Sequence, residues 1–266
     1  MIGKLFLDFR GIARVCGMGT ALRWAASVAL TLPAVLRTRN LMAADRRMGK
    51  GPFKVHHATG DAVLVGSQVF SGVREIWVRD VYAKDGFLQI PDHAVVLDLG
   101  ANMGNFSAQA LAANPTARLI AVEPNARIGQ KWMATMLING FTDRAQLCRA
   151  FVGDFTSIQL NDIKTNPAYA DAPHLTEAEF LARYGIEHID FLKCDIEGSE
   201  YFMIEPGSRI LDITDRLAIE VHNSGGDVKR FLDALAARGF TDIAVDWYGT
   251  ECIARATRGT VRALAA

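Results

Sequence analysis

The stretch Val95-Val96-Leu97-Asp98-Leu99-Gly100-Ala101-Asn102-Met103-Gly104-Asn105-Phe106 constrains the fold most. A short apolar run ends in an acid, a turn with two glycines follows, and a helix-forming sequence begins. Parallel strands covered on both faces read as continuous hydrophobics, so the apolar run is the first, buried strand of an α/β sheet. Gly100 lets the backbone turn where a Cβ would clash. Gly104 opens the helix and leaves room for a ligand at its N-terminus.

The spacing narrows the ligand. A dinucleotide fingerprint reads G-x-G-x-x-G, but Asn102 stands at the second glycine, where a pyrophosphate would approach the backbone. Asp98 is equally unsuited to a phosphate. A second apolar strand, Leu119 to Val122, ends at Glu123-Pro124-Asn125. Glu123 is placed to accept from both hydroxyls of a ribose, as the acid after the second strand does in doubly wound folds. An acid-lined pocket without a phosphate cradle suits a ribose-bearing cation, and S-adenosylmethionine fits. The competing readings are a nicotinamide dinucleotide site and a glycine turn with no ligand.

The chain has 266 residues, half of them hydrophobic, enough for one large α/β domain and a flanking element. Net charge is zero but unevenly spread. Residues 1–54 hold ten Lys and Arg against only Asp8 and Asp45, a formal +8, which the remainder balances. This segment reads as a basic helical N-terminal extension. Its uncharged run Trp24 to Leu36 is thirteen residues long, broken by Pro33, and shorter than the roughly 18–20 apolar residues a spanning helix needs. Two readings stay open: a helical cap packed on the domain, or a basic amphipathic arm for a membrane surface or an anionic partner. A signal peptide is disfavoured. Cys16, Cys148, Cys194 and Cys252 form no C-x-x-C pair and read as free thiols of a reducing cytoplasm. The expected location is cytoplasmic, peripheral at a membrane if the arm docks there. No nucleic-acid partner and no metal are expected.

Residues 55–93 read as lid or cap elements, with short strands at Ala62–Val65 and Glu75–Arg79. Residues 94–258 form the core, where strands and helices alternate as in a mostly parallel sheet, and 259–266 form a tail. Helices are expected over Asn105–Ala113, Ala126–Asn139, 176–184 behind a Thr176 capping box, and Asp227–Arg238. Further strands are expected at Gln146–Val152, Ile189–Asp195 and Arg216–His222, with a closing hairpin across Tyr248-Gly249-Thr250. Residues 155–175 read as a polar surface insertion.

Ligands of open α/β sheets bind beyond the carboxyl ends of the strands, and Gly100, Glu123, Asp195 and Glu220-Val221-His222 all fall there. Asp154 falls at the edge of an adenine pocket, or is a plain turn residue. Asp195-Ile196-Glu197-Gly198-Ser199-Glu200 packs three carboxylates behind the fourth core strand. A hydroxyl attacks a methyl group well only while losing its proton to a positioned base. Asp195 leads as that base, with Glu197 or His222 in its place as alternatives. Asp195, Glu220 and His222 together suggest a small metal site, but no hallmark spacing supports it.

With these residues in hand, the chain resembles the FkbM family of S-adenosylmethionine-dependent methyltransferases. The resemblance rests on Val96–Ser107, Ala121–Asn125, Asp190–Glu200, Ile219–His222 and Ala237–Phe240, and covers roughly residues 62–245. Lys193-x-Asp195-x-Glu197-Gly198-x-Glu200 is its most specific part. It implies a Rossmann-like fold with a seven-stranded, mostly parallel sheet. It also implies O-methylation of a hydroxyl on a secondary metabolite or a glycan. Asp98, Gly100, Asn102 and Gly104 would hold the methionine end of the donor and Glu123 its ribose. Ala101, Asn105, Phe106, Pro124 and Asn125 would flank them. Cys194 departs from the aliphatic residue common there. A nicotinamide-dependent oxidoreductase and a non-catalytic docking protein are the alternatives.

Overall fold

In the computed structural model, which describes residues 2–155, 157–169 and 171–259, the chain opens with four helices. They are α1 (Ile2–Cys16), α2 (Met18–Leu30), α3 (Leu32–Thr38) and α4 (Met42–Arg47). The hairpin strands β1 (Phe53–His57) and β2 (Gly60–Leu64) follow, then the short α5 (Val69–Gly72) and a π-turn, Val73–Val78. Next come β3 (Val95–Leu99), α6 (Asn105–Ala113), β4 (Arg118–Val122), α7 (Ala126–Ile138), β5 (Ala145–Cys148) and the two-residue β6 (Phe151–Val152). The last part holds α8 (Ser157–Thr165), β7 (His174–Leu175), α9 (Glu177–Tyr184) and β8 (Ile189–Cys194). It closes with β9 (Thr214–Val221), α10 (Val228–Ala237), β10 (Phe240–Tyr248) and β11 (Glu251–Arg258).

Two compact units result. One is built from residues 1–89, 102–113 and 130–143, the other from residues 90–101, 114–129 and 144–266. The divisions expected at residues 54 and 93 are not where the units part. Residue 54 falls inside β1, and the first unit takes up α6 and most of α7 through contacts between distant stretches that no local pattern announces. Of the expected tail, residues 260–266 lie outside the described residues.

The second unit carries a seven-stranded sheet in the order β10-β11-β9-β8-β3-β4-β5. The pairs β3·β4, β3·β8, β4·β5 and β8·β9 are parallel, and β11 runs antiparallel between β9 and β10. All five residues of β3 are buried, the burial its apolar run demands of a central parallel strand. Phe180 of α9 and Phe231 and Leu235 of α10 complete the core around Leu97, Leu192 and Ile219. Helix α9 starts on the capping box read from the sequence: the Thr176 hydroxyl accepts from the Glu179 N–H while the Glu179 carboxylate accepts from the Thr176 N–H.

Three expectations fail locally. Gln146–Val152 is not one strand: the ladder ends at Cys148, and the Phe151 N–H turns to the Pro173 carbonyl, pairing β6 with β7. Glu75–Arg79 is not a strand: buried Val73, Arg74, Trp77 and Val78 follow helical spacing inside the π-turn. The insertion at 155–175 is not plain surface loop, since α8 and β7 lie within it.

In the first unit, Trp24, Phe70, Trp77, Phe106 and Trp132 are fully or almost fully buried. Phe53 tilts against Phe70 and Tyr82 meets Phe106 edge-on. Asn139 at the end of α7 accepts from the Val63 N–H and donates to the Val63 carbonyl, holding β2.

Candidate active site

Strand order reverses between β3 and β8, the place where open α/β sheets take their ligands. At that point Gly100 and Asp195 leave adjacent strands. The Asp195 N–H donates to the Leu99 carbonyl at 3.0 Å, and a Cβ on Gly100, whose φ is +74°, would collide with the carbonyl oxygen of Asp195. Only glycine allows this approach. The Gly100 and Ala101 N–H groups both donate to the Val122 carbonyl, which closes the turn against β4.

A cavity of about 250 Å³ opens over these strand ends. Its lining takes Gly100, Glu123, Pro124, Asp195, Ile196 and Glu197 from the strand ends and the residues after them, and Ala150, Phe151, Val152, Gln159 and Tyr169 from the stretch after β5. Glu123 is buried, and its Oε1 accepts from the Asn125 N–H at 2.8 Å. Asn125 itself does not wall the cavity. Its side chain caps α7, accepting from the Arg127 and Ile128 N–H groups.

Asp98 is fully buried and absent from the cavity wall. Its Oδ1 lies 3.3 Å from Lys193 Nζ, which also donates to the Gly100 carbonyl at 2.7 Å. Burial pulls the Lys193 ammonium down, but Asp98 and then Asp195 outweigh it and raise it. The ion pair therefore braces the turn beneath the ligand cavity. Asp154 is exposed and lines a neighbouring hollow with His174 and Glu177. The remaining predicted binding residues, Asn102, Gly104, Asn105 and Phe106, belong to the first unit. There Gly104 (φ +83°) backs onto Trp132, Asn105 presses on Gly72, and Phe106 is buried against Tyr82.

Beside the cavity, His222 stands among carboxylates. Its Nδ1 lies 3.2 Å from Glu200 Oε1, and its Nε2 lies 3.8 Å from Asp195 and 3.9 Å from both Glu197 and Glu220. Glu200 is fully buried and also accepts from the His222 N–H at 2.6 Å and the Gly198 N–H at 2.9 Å. Burial pulls the imidazole down, but the Glu200 hydrogen bond and the charges of Glu200, Asp195 and Glu220 outweigh it and push it up to about 9. His222 is therefore an imidazolium at neutral pH, a cation rather than a base. Asp195, Glu220 and His222 bring ligand-type atoms within 4.8 Å of one another, a set that could take a divalent cation only with the imidazole deprotonated. Partial desolvation and then the Asp195 charge raise the Glu197 carboxyl. Glu197 also holds a left-handed backbone, φ +56°, a costly conformation for a residue other than glycine that gathers at functional sites.

Sequence reasoning missed Glu200 as the His222 clamp and Lys193 as the brace of Asp98. A lysine inside an otherwise buried strand was the available signal for the second. It also missed Gln159 and Tyr169, which it left in a surface insertion.

A family model described as the methyltransferase FkbM domain matches residues 98–241, just over half of the chain. The chain belongs to the FkbM methyltransferase family. The family is one of methyltransferases, and it favours S-adenosylmethionine over the nicotinamide dinucleotide that the sequence left as an alternative. Over 63 residues, 24% of its length, this chain is 46% identical to AMB antimetabolite synthetase AmbE of Pseudomonas aeruginosa, and the match spans 3% of that protein's length. Among solved structures, an O-methyltransferase family protein from Burkholderia thailandensis is similar with a TM-score of 0.45 at 11% identity, covering 70% of this chain and 57% of that one. The precorrin-6y C5,15-methyltransferase from Geobacter metallireducens GS-15 reaches 0.44 at 15% identity, covering 68% and 88%.

Proposed function

We propose that this member of the FkbM methyltransferase family methylates an aliphatic hydroxyl of a small-molecule or glycan acceptor, with Glu197 taking the hydroxyl proton. The donor supplies a methyl group already activated on a sulfonium. The cavity suits its adenosyl end: Ala150, Phe151, Val152 and Ile196 offer apolar walls to a purine, and the Glu123 carboxylate offers an acceptor to ribose hydroxyls. Gly100 contributes bare backbone, where a side chain would fill the turn.

The acceptor hydroxyl has a pKa far above neutrality, so its oxygen becomes a competent nucleophile only as the proton leaves. Asp195 and Glu197 both face the cavity. The observation that carries the choice between them is exposure: the Glu197 side chain, on a left-handed backbone, is 73% exposed and free to meet an acceptor, against 32% for Asp195, and its carboxyl is shifted upward, the direction that strengthens a base. His222 already holds its proton, so it keeps Asp195 and Glu220 charge-compensated while Glu197 receives the proton and passes it to water.

Labelled donor, candidate hydroxyl acceptors and mass spectrometry test the reaction. Glu197→Gln should lower turnover by about 10²–10⁴-fold while donor affinity measured by calorimetry stays unchanged. Near-normal turnover in Glu197→Gln, with loss in Asp195→Asn, returns the base to Asp195.

A further inference from the structure

We propose that the first unit docks flat on an anionic lipid bilayer through α1, α2 and α3. The charges of residues 1–54 are sorted by burial. Asp8 and Asp45 are 3% and 1% exposed. They are taken up by Arg74, which lies 3.3 Å from Asp8 and 2.7 Å from Asp45, and by Arg79, 2.7 Å from Asp8. All ten Lys and Arg of the segment are exposed. The outer surface of these helices therefore carries positive charge alone, although the whole chain is neutral.

Apolar side chains share that surface. Phe6, Leu7, Met18, Leu22, Leu30 and Leu36 are each between 53% and 69% exposed. Met18, Leu22, Ala26 and Leu30 recur every four residues along one side of α2, while Ala21, Trp24 and Val28 fill the opposite side. A contiguous exposed apolar stripe with a charged border marks an interaction surface, and the border here selects an anionic one. Helix α2 has 13 residues, about 20 Å at 1.5 Å each, against a hydrocarbon thickness of about 30 Å. By length and composition α2 and α3 would pass together as a span, but the chain bends by 74° between them, and among the described residues no single helix is long and apolar enough to cross a membrane. The geometry is that of helices lying in the interface, leucines toward the acyl chains and cations among the headgroups. A hollow of about 250 Å³ on the same unit is lined by the exposed Lys4 and Arg39 beside Arg74 and Arg79, whose charges Asp8 and Asp45 already balance.

Co-sedimentation of the full chain with phosphatidylcholine vesicles, with and without about 30% phosphatidylglycerol, tests this. The protein should pellet with the anionic vesicles at low salt and partly release at high salt. Leu22→Glu/Leu30→Glu and Arg37→Glu/Arg39→Glu should each lower the partition coefficient by about ten-fold or more. Both pairs are exposed, so the circular dichroism and donor binding of the variants should match the parent. Docking is overturned if the parent stays in the supernatant, pellets equally with neutral vesicles, or pellets undiminished after Leu22→Glu/Leu30→Glu. Light scattering that shows a parent dimer turned monomer by that variant also overturns it, because the face is then covered by a second copy.

Discussion

The Glu200 carboxylate grips His222 twice, through the backbone N–H and through imidazole Nδ1, while its second oxygen holds the Gly198 N–H. One buried acid thus ties the loop after β8 to the end of β9 and fixes the protonation of the imidazole beside the cavity. Glu200→Gln keeps the shape and removes the charge. The His222 resonance should then titrate at least one unit below its parent value of about 9 in an NMR pH series. An unchanged midpoint would mean that Asp195 and Glu220 alone hold the proton.

The same imidazole makes stability depend on pH. Its folded pKa, about 9, lies above the roughly 6.5 of an unfolded chain. Its contribution is therefore fully present below about pH 6.5 and is lost as pH rises through about 9. Linkage sets its size at about 3 kcal/mol. Denaturant midpoints should fall across that window in the parent, and His222→Gln should flatten the fall.

Gly100 and Gly249 share a backbone φ of +74°, but only Gly100 has a neighbour where a Cβ would go. Gly249→Ala should cost about 1 kcal/mol, the conformational penalty alone. Gly100→Ala should cost about 3 kcal/mol or more, because the Asp195 backbone must also move. Equal unfolding midpoints for the two variants would show that β3 and β8 separate freely at this turn.

Glu123→Ala should weaken donor binding by about 1.5–3 kcal/mol, the loss of a charged acceptor, read by calorimetry as roughly 10- to 150-fold. Unchanged affinity would place the ribose elsewhere in the cavity.

Dialysis against EDTA should leave turnover unaltered, since the His222 imidazolium already compensates the acids around it. Activity lost to the chelator and restored by magnesium would assign Asp195 and Glu220 to a cation.

The sheet was legible because its strands are short, largely apolar runs followed by acids or glycine: Val95–Leu99, Leu119–Val122 and, despite Asp190 and Lys193, Ile189–Cys194 all lie within the expected spans. The cavity was legible in part. Gly100, Glu123, Pro124, Asp195 and Glu197 follow strands and announce themselves, whereas Phe151, Gln159 and Tyr169 arrive from a stretch whose polarity reads as loop. Asp98, which the family resemblance assigns to the methionine end of the donor, is fully buried beside Lys193, 95 positions on in the chain. Long-range pairings of that kind leave no trace in spacing, and neither does the assignment of α6 to the N-terminal unit.

That assignment bears on how the protein can be shortened. A Cβ on Gly60 would strike the Ala112 backbone, one on Gly72 would strike the Asn105 side chain, and Val63 is held by Asn139. Cutting after residue 89 would therefore strip partners from the helix that carries the signature turn. Trimming from the N-terminal side toward a minimal catalytic fragment should yield insoluble protein.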